Sequence, residues 1–183
     1  LAGKDSLAMY AKNGYIINKG QIELSGTGST AIYGRNNTLI ENTNTSKIKL
    51  NGDKSTAIYY NNTDTTSIGE NIENYGEIEL NGSKDTGIAY NSVSIPTTNP
   101  TLVKNFADIK INNSESIGIH SEVTQNNPYV IENQGNITIT AQTQDIKKPT
   151  VGIYTKDSLA KIINGNNGNI KVSKNNIAIL GTS

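Results

Sequence analysis

Residues 72–90 read I-E-N-Y-G-E-I-E-L-N-G-S-K-D-T-G-I-A-Y. Three short apolar strings sit in this stretch: Ile72-Glu73-Asn74, Ile78-Glu79-Leu80 and Gly87-Ile88-Ala89. Each alternates apolar with polar or small residues, and each restarts at a Gly or Asn corner. Such alternation over short runs rich in Ile and Tyr marks strand, whereas a helix needs apolar residues at three-and-four spacing over ten or more positions.

Working outward, the unit recurs along the whole chain. The middle string returns as Ile22-Glu23-Leu24, Ile48-Lys49-Leu50, Ile109-Lys110-Ile111, Ile137-Thr138-Ile139 and Ile170-Lys171-Val172. The last string returns as Ala8-Met9-Tyr10, Ala31-Ile32-Tyr33, Ala57-Ile58-Tyr59, Gly118-Ile119-His120, Gly152-Ile153-Tyr154 and Ala178-Ile179-Leu180. Successive Ala/Gly positions are 23, 26, 30, 31, 34 and 26 residues apart, the scale of a solenoid, propeller or array. A propeller blade requires four antiparallel strands. Three strings per period instead predict an all-β, right-handed parallel β-helix of about six to seven coils, the hand following from the crossover rule for parallel strands. The chain is expected to form a single unit over residues 1–183, cut from a longer solenoid, because a free solenoid end exposes unpaired strand edges.

Stacking turns equivalent positions into files about 4.8 Å apart per step. Ile22, Ile48, Ile78, Ile109, Ile137 and Ile170 form one inward file, and Met9, Ile32, Ile58, Ile88, Ile119, Ile153 and Ile179 another. Each buried aliphatic contributes about 1.5–3 kcal/mol, against roughly 1–2 kcal/mol of backbone entropy per ordered residue, so no coil is stable without neighbours. Between the aliphatics, Glu23, Lys49, Glu79 and Lys110 alternate in sign, as in-register stacking favours. Asn18, Asn42, Asn74, Asn105, Asn133 and Asn164 form a structural ladder of amides. Gly26, Gly52 and Gly82 mark a corner, with Asn113 in their place one coil on. Tyr10, Tyr33 and Tyr59 form an outward ladder, and His120 falls in their column.

Length variation falls mainly at one corner, where loops 60–71, 90–102 and 121–130 leave consecutive coils; a further insertion, 140–150, leaves a different corner. Insertions on one side of a solenoid often form its binding face. Asn91, Val93, Ile95, Pro96, Asn99, Asn126, Pro128 and Tyr129 are therefore the candidate partner-binding residues.

Composition removes several function classes. Net charge is zero, without the basic footprint of a nucleic-acid binder. No apolar run approaches membrane-span length, and no secretory leader is expected in this segment. With no cysteine there is neither a disulfide frame nor a thiolate metal site. His120 is the only histidine and Arg35 the only arginine, and the acids Glu23, Glu41, Glu73, Glu79 and Glu132 are scattered. Glycoside cleavage needs two carboxylates at a set separation across a groove. The expectation is thus no catalytic residues, no cofactor and no metal.

The units Ser-Thr-Ala-Ile-Tyr (29–33 and 55–59), Asp-Thr-Gly-Ile-Ala (85–89) and Ile-x-Asn-x-Gly-x-Ile-x-Leu/Ile (16–24, 72–80 and 131–139) resemble passenger repeats of bacterial type V autotransporters, in particular large outer-membrane adhesins of fusobacteria. The resemblance covers essentially the whole chain. It implies a surface-exposed, monomeric adhesive stalk at the outer membrane that contacts a host-cell or bacterial surface protein or glycan. The rival readings are a polysaccharide-active β-helix enzyme and a pure stalk spacer.

Overall fold

Short runs of Ile, Leu, Val, Tyr and Thr bounded by Gly, Asn and Ser give nineteen strands among the described residues, and no helix. The computed structural model describes residues 1–65, 72–95, 100–124, 127–143, 145–156 and 159–182. The strands divide among three parallel sheets, and each coil of chain contributes one strand to each.

Sheet A holds β1 (Leu7–Lys12), β4 (Thr30–Arg35), β7 (Thr56–Asn62), β10 (Thr86–Ser92), β13 (Ile117–Val123), β16 (Val151–Thr155) and β19 (Ile177–Gly181). Sheet B holds β2 (Tyr15–Asn18), β5 (Leu39–Asn42), β8 (Ile72–Asn74), β11 (Thr101–Asn105), β14 (Tyr129–Asn133) and β17 (Ala160–Asn164). Sheet C holds β3 (Gln21–Leu24), β6 (Lys47–Leu50), β9 (Glu77–Leu80), β12 (Ile109–Ile111), β15 (Asn136–Ile139) and β18 (Asn169–Val172). Every strand pairing is parallel, and strands of equal rank in successive coils lie side by side, so the chain is a β-solenoid.

The register matches the sequence columns. Ile22, Ile48, Ile78, Ile109, Ile137 and Ile170 follow one another rung by rung, as do Glu23, Lys49, Glu79 and Lys110. Inward aliphatics such as Ile48, Ile78, Ile58 and Ile88 are fully buried. In the outermost rungs Met9, Ile22, Ile162 and Ile170 are only partly covered, since one side of each lacks a neighbouring coil.

The amide ladder is continuous. Asn18 Nδ2 donates to Asn42 Oδ1 (2.8 Å), Asn42 to Asn74 (2.8 Å), Asn74 to Asn105 (2.7 Å), Asn105 to Asn133 (2.8 Å) and Asn133 to Asn164 (2.8 Å). These side chains sit inside the corner between sheets B and C. At the corner between sheets C and A, a Cβ on Gly52 would lie 2.4 Å from the Gly26 carbonyl oxygen, and one on Gly82 would lie 2.5 Å from that of Gly52. Close approach of successive coils thus fixes glycine there. The left-handed conformation falls two residues later, at Gly28 (φ 73°), Lys54 (58°), Lys84 (61°) and Glu115 (58°). Side chains tolerate it there because the stacked coils impose one shared turn.

At the corner between sheets A and B the strands run further than the sequence suggests. β7, β10 and β13 extend through Asn62, Ser92 and Val123, so the first residues of the expected loops belong to sheet A. Tyr60 and Tyr90 point inward and stack with ring centroids 4.7 Å apart. The coils with longer loops enclose more volume at this corner, and Tyr60, Tyr90, Ile95, Leu102, Val123 and Tyr129 fill it.

Candidate functional site

Alternation along each strand leaves two residue files on the outer face of sheet A. One runs Tyr10, Tyr33, Tyr59, Ala89, His120, Tyr154, Leu180. The next runs Lys12, Arg35, Asn61, Asn91, Glu122. In the first, Tyr10 tilts on Tyr33 (centroids 5.4 Å, 53°), Tyr33 stacks on Tyr59 (5.1 Å, 13°) and His120 stacks on Tyr154 (5.2 Å, 13°). Parallel pairing sets this spacing: one residue per rung places like rings face to face. In the second file Glu122 accepts from Lys156 Nζ at 2.7 Å. Arg35 Nε is buried without a partner.

The two files meet through Asn91, whose Nδ2 donates to the Tyr59 hydroxyl at 3.4 Å. Burial raises the Tyr59 phenol above its ordinary pKa, and the Asn91 hydrogen bond opposes the shift. His120 is held below the usual imidazole range, first by burial and also by Lys156, with Glu122 pulling the other way. It is therefore the neutral imidazole near pH 7, fit to exchange hydrogen bonds and to stack.

The long loops leave from the ends of these same strands. Their bases are pinned. Asn62 Nδ2 donates to Ser92 Oγ (3.0 Å), Ser94 Oγ (3.1 Å) and the Asp64 carbonyl (3.0 Å). Of the expected contact residues, Asn91 is half-buried on the outer face, and Val93 and Pro128 are exposed. Ile95 and Tyr129 are corrected: both are core residues, and Tyr129 Oη shares a hydrogen bond with Ser121 Oγ at 3.0 Å. Pro96, Asn99 and Asn126 lie outside the described residues. The structure therefore brings Asn91 beside the aromatic file and takes Ile95 and Tyr129 away from the surface. The residues that sequence reasoning left out of the site are Tyr59 and His120. The signal was the column itself, read as a ladder but not joined to Asn91 two positions along the neighbouring strand.

The other faces carry mostly internal pairing. On sheet C, Lys47 Nζ bridges Glu77 and Glu79, both at 2.7 Å, and Lys110 bridges Glu77 at 2.6 Å. These lysines hold the Glu77 and Glu79 carboxyls below the usual range. On sheet B, Glu73 pairs with Lys104 at 2.9 Å. Tyr75 and Phe106 stack at the corner between sheets B and C, centroids 4.7 Å and planes 3° apart. The insertion after β15 is stapled by the following coil: Asn176 Nδ2 donates to the Ala141 carbonyl (2.7 Å), and Asn175 Nδ2 to that of Thr143 (3.0 Å). Among the described residues no three His, Cys, Asp or Glu side chains converge as metal ligands would. Compared with known family models, curated proteins and solved structures, the chain matches none.

Proposed function

We propose that the chain is an adhesive module of a bacterial cell surface: a β-solenoid that presents one long face to a host-cell or bacterial surface protein or glycan. The observation that carries this reading is the outward aromatic file of sheet A running beside the corner from which three consecutive long loops depart. A spacer needs only its inward files. Tyr33 and Tyr59 stay half-exposed although a coil lies on either side of each, and partly exposed rings on an outer face suit a contact surface. The resemblance to type V autotransporter passengers supplies the location, the outer membrane with the module on its extracellular side. Cleavage of a polysaccharide gains less from the geometry. The outer carboxylates Glu73, Glu77, Glu79 and Glu122 are each tied to lysine, and a general acid needs its carboxyl raised, which pairing of this kind opposes.

The test is attachment of the purified chain to host cells and to bacteria. In one variant the segments joining Asn62 to Ile72, Ser92 to Thr101 and Val123 to Tyr129 are shortened to the length that joins Arg35 to Leu39. In another, Tyr10 and Tyr33 become serine. Loss of attachment by about tenfold or more in either variant is expected, the size usual for removing central aromatic contacts. No attachment by the parent chain, or attachment equal in both variants, leaves a spacer and overturns the reading.

A further inference from the structure

The second file on the outer face of sheet A begins with Lys12, Arg35 and Asn61, in register on β1, β4 and β7. Elsewhere Lys47, Lys49, Lys84, Lys104, Lys110 and Lys156 each reach a glutamate at 2.6–3.8 Å. Lys12 and Arg35 do not. Among the described residues neither cation has an ion pair, and no hydrogen bond ties the Arg35 guanidinium or the Asn61 amide. Like charges on facing strands repel, so stacking in register disfavours two adjacent cations unless an anion joins them. A local rule broken without compensation inside the fold marks a place where function is expected.

These groups are open to a ligand. Lys12 is exposed, and Arg35 and Asn61 are partly exposed. The protein covers Arg35 Nε, which leaves the two terminal nitrogens of the guanidinium as its outward edge. Two residues back on the same strands and the same face stand Tyr10 and Tyr33. Tyr33 has a ring on either side, Tyr10 at 5.4 Å and Tyr59 at 5.1 Å, so its faces are taken and a partner meets its hydroxyl edge. Neither the Tyr10 nor the Tyr33 hydroxyl is bonded within the described residues, unlike that of Tyr59, which accepts from Asn91.

We propose that this patch binds an acidic sugar residue of a surface glycan, recognised by its carboxylate. The carboxylate accepts from the terminal nitrogens of Arg35 and lies beside the Lys12 ammonium, while the ring hydroxyls exchange hydrogen bonds with the Asn61 amide and the Tyr10 and Tyr33 hydroxyls. One sugar ring carries its carboxylate and its hydroxyls together, as the patch sets its cations beside neutral polar groups. An acidic peptide fits less well. Side chains on one face of an extended strand recur every ~6.6 Å, against ~4.8 Å between rungs, so a strand laid along the file falls out of step at its second acid. This inference rests on the outer face of sheet A being the contact surface and narrows its ligand to a charged glycan. Its test reads a small molecule, so it stands or falls separately from cell attachment.

The experiment is a titration of the whole chain with methyl glucuronide, followed by NMR of the Arg35 and Asn61 side-chain N–H groups, with methyl glucoside and a blocked diglutamate peptide as comparisons. Saturable shifts at both residues are expected with methyl glucuronide, with Kd roughly millimolar for a ligand of this size and weakening as salt is added. Arg35→Gln should weaken binding about tenfold or more, the worth of hydrogen bonds to a charged group. Arg35→Lys keeps the charge but loses the planar fork and should recover only part of that loss. Both variants should keep the melting temperature, and Lys12→Gln, expected to weaken binding about threefold, carries the test if neither folds. Four outcomes overturn the proposal: no saturable shift in the parent chain, methyl glucoside binding as tightly as methyl glucuronide, binding undiminished in whichever variants fold, or the peptide binding more tightly than the sugar acid.

Discussion

At Asp85 a carboxyl stands where neighbouring coils carry Ser29, Ser55 and Ser116. Each serine hydroxyl does two things. It accepts from the backbone N–H one coil away, as Ser6 N to Ser29 Oγ (3.1 Å) and Asp85 N to Ser116 Oγ (3.0 Å). It also donates to a glycine carbonyl, as Ser55 Oγ to Gly26 (3.2 Å) and Ser116 Oγ to Gly82 (3.3 Å). Asp85 Oδ1 keeps the first duty, accepting from Ser55 N at 2.9 Å, but an ionised carboxylate cannot perform the second, and Oδ2 lacks a well-formed hydrogen bond. Burial pushes this carboxyl up to about 7, aided by Asp53 and opposed by the amides of Ser55 and Gly82. Because its folded value lies above the ordinary 3.8, the folded state binds the proton more tightly. The stability tied to it is full below about pH 4, declines as pH rises toward about 7, and is gone above that. Asp85→Ser should therefore raise stability at pH 8 by about 1–3 kcal/mol, the cost of an unmatched buried polar group, and should change little at pH 4. Thermal melts of both chains across pH 4–8 measure this; a gain independent of pH would mean that titration of Asp85 is not its source.

At the scale of the element, the chain is held by files, and the buried amide ladder is the most demanding of them. Asn74 accepts from Asn42 and donates to Asn105, with no solvent to replace either bond. Asn74→Ala should cost about 1–3 kcal/mol for each of the two groups it orphans. Asn164 terminates the ladder, is exposed, and accepts from Asn133 alone among the ladder amides, so Asn164→Ala should cost much less. Denaturant unfolding of the two variants gives the comparison, and equal losses would deny the ladder its role. These files were legible in the sequence because each repeats one chemistry at one place per period. The charged file was legible in register and only partly in contact: Lys49 pairs with its register partner Glu23 at 3.8 Å. Glu79 faces Lys49 and Lys110 across the sheet, yet its ion pair runs diagonally to Lys47, because a lysine stem spans one rung obliquely as easily as directly. The buried Tyr60, Tyr90, Ile95 and Tyr129 were not legible. Whether a residue at the start of a long loop faces in or out depends on the volume that loop encloses, and no period records that volume. The candidate site was half legible for a related reason: the column of Tyr59, Ala89 and His120 lies in one period, whereas its link to Asn91 crosses between two columns.

For the molecule as a whole, a parallel stack means that each coil is stabilised chiefly by the coils on either side of it. Stability is then a sum of coil and interface contributions and need not be lost all at once. Central rungs are enclosed on both sides, and Ile58, Ile88 and Ile119 are fully buried, whereas Ile179 in β19 is 43% exposed. Amide hydrogen exchange should accordingly be slowest in β7, β10 and β13 and fastest in β1 and β19, in a graded series rather than two classes. Ile88→Ala should remove about 2–5 kcal/mol and raise exchange through β7, β10 and β13 together. Ile179→Ala should leave those strands unchanged. Uniform protection along the chain, or central exchange equally sensitive to both substitutions, would show a single cooperative unit instead. The graded outcome also bears on how the outer face works. Tyr59 and His120 ride on β7 and β13, so these outward rings are held by the least yielding part of the stack.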